Sequence, residues 1–180
     1  MSLNRKFQVA AVAALIGFSL AASSAMAQAK HDLSSYAGRW MMDPSKTKMG
    51  RFGPNGRNID RDPTFTWVFT PAKQGLKMEV FYKWPQAKPE RTMTVITDEK
   101  PHPCDSSGQP CLTTGGNPQL QTYSYYYMNP HMIARLFYTG KKVEEYSTYA
   151  TSENGKVLTI ISWSPETPEY QNIQVFNKQP

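Results

Sequence analysis

The chain has 180 residues, a formal net charge of +6 and a hydrophobic fraction of 39%. This length suits one domain with a real core. No long basic run occurs, so nucleic-acid binding is not predicted. The sequence also lacks the P-loop, the zinc-protease, the dinucleotide-binding and the serine-hydrolase motifs. It therefore specifies none of those enzyme classes and predicts no cofactor.

The N-terminus has the order of a secretory signal. Arg5 and Lys6 precede an apolar run from about Phe7 to Ala22, and Ala25-Met26-Ala27 follows as an A-x-A cleavage site. The apolar run is marginal for a bilayer span, which needs ~20 residues, and no stop-transfer cluster follows it. We therefore predict a signal peptide over residues 1–27. The mature domain, 28–180, is then expected in the periplasm or secreted, with no stable membrane span and a net charge lowered to +4 by the loss of two cations.

The mature chain shows short β-branched and aromatic runs separated by turn residues, which is typical of strands. The predicted strands are Gly38–Asp43, Phe65–Thr70, Leu76–Trp84, Arg91–Thr97, Leu120–Met128, Met132–Tyr138, Val143–Thr151, Val157–Trp163 and Gln171–Asn177. Short turns between such strands favour an antiparallel meander. A meander avoids exposed edges most simply by closing, so an all-β up-and-down barrel of about eight or nine strands is predicted.

Two segments are long for hairpin connections, Gly50–Thr64 and Glu99–Pro118. Loops of this length are often lids or mouth loops, but plain linkers are equally compatible with the sequence. The second segment contains both cysteines, Cys104 and Cys111. Export and the turn-rich residues between them favour a disulfide. The alternative, a metal site with His102, lacks the close cysteine pairing of structural zinc sites, so no metal is predicted.

Alternation along the strands separates an inward from an outward set of side chains. Trp40 and Met42 are expected inside. The predicted inward aromatic residues of the next two strands are Phe65, Trp67, Phe69, Tyr82 and Trp84. An aromatic-lined pocket suits a small hydrophobic or aromatic ligand, whereas the competing interpretation is ordinary barrel packing.

One strand carries a row of phenols, Tyr123, Tyr125 and Tyr127. Each buried hydroxyl needs a polar partner, so this row suits a cavity lining or a surface that meets a partner better than a dry core. The sequence does not decide which face is inside. Arg135 in the next strand is either solvent-facing or paired with an anion, and it would join the ligand site if it faces inward.

Residues that could move protons are few. His131, directly after Asn129-Pro130, carries an imidazole, the side chain that most often transfers protons in enzymes, and Tyr125 is the other weak catalytic candidate. A solvated turn histidine is the commoner case. A haem ligand role for His131 is a weaker alternative.

Three segments together resemble a group of exported bacterial lipocalin-like (calycin-type) barrel proteins. Residues 38–48, Gly-Arg-Trp-Met-Met-Asp-Pro-Ser-Lys-Thr-Lys, resemble its opening G-x-W-x-x-N-x-x-K-S-K. Lys142-Val143 and residues 152–159, Ser-Glu-Asn-Gly-Lys-Val-Leu-Thr, are similar to its K-V-V strand and S-x-D-G-K-x-L-T turn. Residues 172–179, Asn-Ile-Gln-Val-Phe-Asn-Lys-Gln, resemble its closing N-V-x-V-Y-x-K-Q.

The resemblance implies a lipocalin-like barrel with a small-molecule cavity and a structural role for Trp40 at the closed end. It carries no single established activity and no catalytic residues. The middle of the chain, with its cysteine pair, departs from the pattern.

Three functions stay open from the sequence. The first is a binding barrel for a small hydrophobic or aromatic molecule, lined by Trp67, Tyr82, Trp84, Tyr123, Tyr125 and Tyr127, with Arg135 as an anion partner. The second is a cofactor-independent lyase or isomerase acting in the same cavity. The third is an envelope interaction protein that uses the tyrosine face. The sequence does not indicate the oligomeric state.

Overall fold

The computed structural model describes residues 31–48, 65–85, 88–89, 91–104 and 121–180. These residues form a short 3₁₀ helix, Ser34–Tyr36, and ten strands. In chain order the strands are β1 (Gly38–Met42), β2 (Thr66–Pro71), β3 (Leu76–Phe81), β4 (Arg91–Val95), β5 (His102–Pro103), β6 (Gln121–Asn129), β7 (Met132–Thr139), β8 (Lys142–Thr151), β9 (Val157–Ser164) and β10 (Thr167–Lys178).

The strands form one antiparallel sheet in the order β4-β3-β2-β1-β10-β9-β8-β7-β6-β5. Neighbours in this order are consecutive in the chain, except that β1 pairs with β10 and so joins the first strands to the last. The predicted all-β up-and-down class is confirmed. The strand number is ten rather than eight or nine, because the two-residue β5 adds to the nine strands predicted.

Contacts between distant strands show that the sheet curls around an interior. The Tyr123 hydroxyl of β6 donates to the carbonyl oxygen of Thr94 in β4 at 2.7 Å, which links the two ends of the sheet. The rings of Trp67 in β2 and Tyr149 in β8 lie 6.0 Å apart, although three strands separate β2 from β8 in the sheet. Each strand therefore has an inner and an outer face.

The 3₁₀ helix packs at one end of the barrel, which we call the helix end. Trp40 is fully buried there, and its indole N–H donates to the Tyr36 carbonyl at 2.7 Å. The Lys178 ammonium lies 5.0 Å from the centre of the Trp40 ring, at a distance typical of a cation–π contact. Trp40 thus has the structural contacts that the resemblance implied.

The segments that resemble the lipocalin-like group make turns and strand pairings. Asp43 follows β1 and accepts hydrogen bonds from the Ser45 hydroxyl at 2.6 Å and from the Asn177 amide at 3.1 Å. These bonds, with that of Lys46, hold the pKa of the Asp43 carboxyl well below its usual range. Lys48 then pairs with Ile173 of β10. These residues stabilise the barrel wall and offer no chemistry of their own.

The opposite end of the barrel, which we call the loop end, is where β1, β3 and β5 finish. The connections over residues 43–65, 82–90 and 104–120 therefore all leave from this end. Four predictions fall on residues outside the described ranges: the signal peptide over 1–27, the whole of Gly50–Thr64, most of Glu99–Pro118, and Cys111. No helix in the described residues has the length and apolarity needed to cross a membrane.

Several predicted strand boundaries are wrong by a few residues, and the one that matters for the site is the end of β3. β3 ends at Phe81 rather than at Trp84, because the chain bends from Tyr82 onward. The alternation used to predict Tyr82 and Trp84 as inward residues therefore stops before it reaches them. Both side chains are exposed, each at 37%.

Candidate functional site

The tyrosine row of β6 faces the interior. Tyr123 and Tyr125 are buried, and Tyr127 is half-buried against the core. Their partners in β7 are Phe137, Arg135 and Ile133, which share the inner face because opposed residues of paired strands point the same way. The question that the sequence left open is thus decided in favour of an inward tyrosine row.

Arg135 also faces inward, and it is buried. Its guanidinium forms an ion pair with the Glu145 carboxylate and donates to the Ser147 hydroxyl at 3.1 Å. The Ser147 hydroxyl in turn donates to the same carboxylate at 2.6 Å. The guanidinium carbon lies 5.6 Å from the centre of the Tyr149 ring. The anion partner of Arg135 is therefore a side chain of this protein.

A bulge at the β7–β8 hairpin decides which glutamate enters the interior. From the turn outward, Thr139 pairs with Lys142 and Tyr138 with Val143, and the register then shifts so that Phe137 pairs with Glu145. Without that shift the partner of Phe137 would be Glu144. Because adjacent residues of a strand point to opposite faces, one extra residue exchanges the two glutamates. Glu144 instead contacts Lys142 at the surface.

Arg135 belongs to a row of polar residues that crosses five adjacent strands. In register the row runs Tyr125, Arg135, Ser147, Ser162 and Asn172, from β6 to β10. All five are buried. We call these residues and Glu145 the polar row. Buried polar groups in such numbers are unusual in a packed core, where most interior positions are apolar.

Four buried polar atoms near this row make no well-formed hydrogen bond among the described residues, although the Tyr125 and Tyr149 hydroxyls also interact with each other. They are the hydroxyls of Tyr125 and Tyr149, Nε of Arg135 and Oδ1 of Asn172. Buried groups of this kind are nearly always satisfied, so each unpartnered one calls for an explanation. Water or a ligand molecule could form hydrogen bonds with these four atoms.

Burial sets the protonation of these groups. Desolvation raises the pKa of the Tyr125 and Tyr149 hydroxyls, so both phenols are neutral hydrogen-bond donors at physiological pH. Desolvation alone would lower the pKa of the Arg135 guanidinium, but Tyr149, Glu145 and Tyr125 raise it by more. Arg135 therefore stays charged inside the barrel.

An aromatic wall faces the polar row. Trp67 contacts Phe69, Tyr149 and Phe176 through its ring, with centroid distances of 6.2, 6.0 and 5.4 Å. These neighbours place it on the inner face, yet Trp67 is only partly buried whereas Phe69 and Phe176 are fully buried. Trp67 therefore combines a position on the inner face with contact to solvent.

Other predicted site residues lie elsewhere. The Trp84 ring packs edge-on against Phe81 and under the guanidinium of Arg39, 5.3 Å from its carbon. Arg39 precedes the inward Trp40 in β1, so Trp84 lies on the outer face. Tyr82 is at the loop end and contacts Phe65, with ring centroids 4.7 Å apart. The structure does not bring either residue to the polar row.

His131 lies in the β6–β7 turn at the helix end. Its ring nitrogen Nδ1 is 3.1 Å from the Thr151 hydroxyl, and its backbone N–H donates to Asn129. Tyr125, the other weak catalytic candidate, is in the polar row, so the two are not brought together. Tyr127 is nearer the helix end, where its ring stacks on that of His31 at 4.1 Å.

Within the described residues, no group of three or more histidine, cysteine or acidic side chains is arranged to hold a metal ion. His102 is hydrogen-bonded to Asp98, with Nε2 and Oδ1 2.7 Å apart. Cys104 is buried directly after β5, and its backbone N–H donates to the Gln121 carbonyl at 3.2 Å. The disulfide to Cys111 stays a prediction.

Comparison with known proteins supports the fold of the chain but does not assign it to a family. No protein-family model matches the chain, and no curated protein matches it in sequence. Among solved structures it resembles As-p18, an extracellular fatty acid binding protein, with a TM-score of 0.53 and 11% identity over 83% of this chain and 100% of that one. It also resembles a secretary abundant heat soluble (SAHS) protein from Ramazzottius varieornatus, with a TM-score of 0.50 and 11% identity over 81% and 96%. The chain is a calycin-like barrel.

Five members of the site were missed from the sequence: Glu145, Ser147, Tyr149, Ser162 and Asn172. The signal for the first three was present, because Glu145, Ser147, Tyr149 and Thr151 alternate along β8. To place Glu145 beside Arg135, however, one must know which residues of β7 and β8 are opposite each other, and the bulge changes that register.

Proposed function

We propose that this protein is an exported barrel that binds one small hydrophobic or aromatic molecule in its interior. The observation that carries the proposal is the partial exposure of the inward Trp67 opposite the unpartnered hydroxyls of the polar row. The rings of Trp67, Tyr125 and Tyr149 would contact the apolar body of the ligand. The guanidinium of Arg135 and the hydroxyls of the two tyrosines would form hydrogen bonds with its polar end. Pockets of this composition are typical of small-molecule sites.

The calycin-like fold agrees with this proposal. A structural neighbour is named for fatty acid binding, and hydrophobic-ligand binding suits the same interior here. At 11% identity the ligand itself must be inferred from the residues of this chain.

The test uses the uncharged fluorescent probe N-phenyl-1-naphthylamine, excited through tryptophan. We expect saturable one-to-one binding in the micromolar range, with energy transfer from Trp67 to the probe. Trp67→Phe should weaken binding of the probe severalfold, measured from the emission of the directly excited probe, because Trp40 can still transfer energy to it. Trp163→Phe is the matched control, because Trp163 stacks on Tyr146 along β8 and β9, away from the interior aromatic wall. Folded protein that shows no saturable binding would refute the proposal.

We also propose that residues 1–27 are removed on export and that Cys104 and Cys111 form a disulfide. The order of the N-terminal residues supports the first proposal, and the burial of Cys104 beside β6 supports the second. The intact mass of protein recovered from the periplasm or medium should equal residues 28–180 less two protons. A mass that retains residues 1–27 would refute cleavage, and two alkylatable thiols in unreduced protein would refute the disulfide.

A further inference from the structure

The charge of the interior is balanced before any ligand enters. Arg135 and Glu145 are the two charged side chains that the described residues bury, and they pair with each other. The interior polar region therefore has a formal net charge of zero. Arg135 contacts Glu145 and Ser147 through Nη2 and leaves Nε without a hydrogen-bond partner among the described residues.

The chemistry of these atoms indicates which polar group of a ligand would form hydrogen bonds with them. Nε–H of Arg135 and the hydroxyls of Tyr125 and Tyr149 can donate hydrogen bonds, whereas Oδ1 of Asn172 accepts one. A carbonyl or hydroxyl oxygen satisfies the donors. An N–H or O–H on the same group satisfies Asn172. Primary amides and alcohols offer both kinds of atom without a charge.

We propose that the barrel selects ligands whose polar end is an uncharged amide, alcohol or carbonyl group, and that Glu145 is the residue that excludes carboxylates. The inference rests on the proposed interior site and names its ligand class. Glu145 therefore acts as a specificity-determining residue.

The physical reason is electrostatic. A carboxylate near Arg135 would place a second negative charge beside Glu145, in a region where water cannot screen either. A carboxylate that bound the unpartnered Nε would share one buried counter-charge with Glu145, and one that displaced Glu145 would leave that residue buried without its counter-charge. An uncharged group avoids both costs and still makes the hydrogen bonds that the interior lacks.

The experiment compares two probes that differ in one group, 11-(dansylamino)undecanoic acid and its primary amide. Wild-type protein at pH 8 should bind the amide at least tenfold more tightly than the acid.

Glu145→Gln keeps an acceptor for Ser147 and Arg135 but removes the charge, so the interior becomes positive. We expect this variant to bind the acid at least tenfold more tightly than wild type does and to reverse the preference. Glu144→Gln is the matched control, with the same charge change on the surface, and should leave the preference unchanged.

A second measurement uses wild type alone, in case Glu145→Gln does not fold. If the acid enters only in its protonated form, its affinity should rise as the pH falls from 8 toward the pKa of the probe, whereas the amide affinity should stay constant. Wild type that binds the acid at least as tightly as the amide at pH 8 would overturn the inference and leave the binding function standing. Binding of neither probe to folded wild type would overturn the binding function itself.

Discussion

Replacing Arg135 by methionine should lower the free energy of unfolding by roughly 3–5 kcal/mol, because it leaves Glu145 buried without a counter-charge. The ion pair, the bond to Ser147 and the contact with the Tyr149 ring are lost together. Urea unfolding followed by far-ultraviolet circular dichroism would measure the change. The double variant Arg135→Met/Glu145→Leu removes both charges and should recover most of the loss.

The pH dependence of the stability of Arg135→Met distinguishes the effect of the lost charge from the effect of the lost packing. In Arg135→Met, an uncompensated buried carboxylate binds a proton more readily than the same group in the unfolded chain. The folded variant then holds more protons than the unfolded one, so its stability falls as the pH rises above about 4.3, the ordinary value for glutamate. The gap between wild type and variant should therefore widen from pH 4 to pH 8.

Either of two results would contradict this account. One is a gap that is constant between pH 4 and pH 8, because packing loss does not titrate. The other is a double variant that is no more stable than Arg135→Met. Both would mean that the methylenes of Arg135, rather than its charge, stabilise the barrel.

The strand pattern of the sequence was sufficient for the barrel, because burial on one face of each strand imposes a period of two. Trp40, Met42 and Phe69 are inside, as alternation predicts. The pattern failed where the strand itself ended, at Phe81, since alternation has no meaning beyond the last paired residue. Trp84 is therefore on the outer face although its position in the pattern was inward.

The polar row could be predicted only in part, for two physical reasons. Tyr125 and Tyr126 are both phenols, so composition alone could not tell which face of β6 is inside. Glu144 and Glu145 are likewise identical in chemistry, and a bulge in the β7–β8 pair decides between them. Whether a strand contains a bulge depends on its tertiary packing, and the local sequence of this hairpin does not predict one.

The hydroxyls of Tyr125 and Tyr149 should stabilise a ligand complex at the expense of the ligand-free fold. Tyr125→Phe and Tyr149→Phe each remove a buried hydroxyl that makes no well-formed hydrogen bond among the described residues. We expect each change to raise the free energy of unfolding by about 1 kcal/mol, because the cost of desolvating the hydroxyl disappears. Phenylalanine keeps the ring, so the aromatic contacts with Trp67 and Arg135 remain.

Tyr36→Phe is the matched control in the same fold. Tyr36 is as buried as Tyr125, but its hydroxyl donates to the Tyr149 carbonyl at 2.9 Å. Its removal should therefore lower the free energy of unfolding by about 1 kcal/mol, since the carbonyl loses its bond from the side chain. Thermal unfolding of the ligand-free variants would reveal opposite signs for chemically identical substitutions.

Binding should move in the direction opposite to stability. The two stabilised variants lose donors that meet the polar end of the ligand, so the dansyl amide should bind each about tenfold more weakly, whereas Tyr36→Phe should bind it as wild type does. Residues that cost stability and support binding are the usual sign of a functional site. If Tyr125→Phe and Tyr149→Phe destabilise the free protein as Tyr36→Phe does, their hydroxyls are satisfied within the folded chain. The polar row would then be a structural network, and the binding site would have to lie elsewhere.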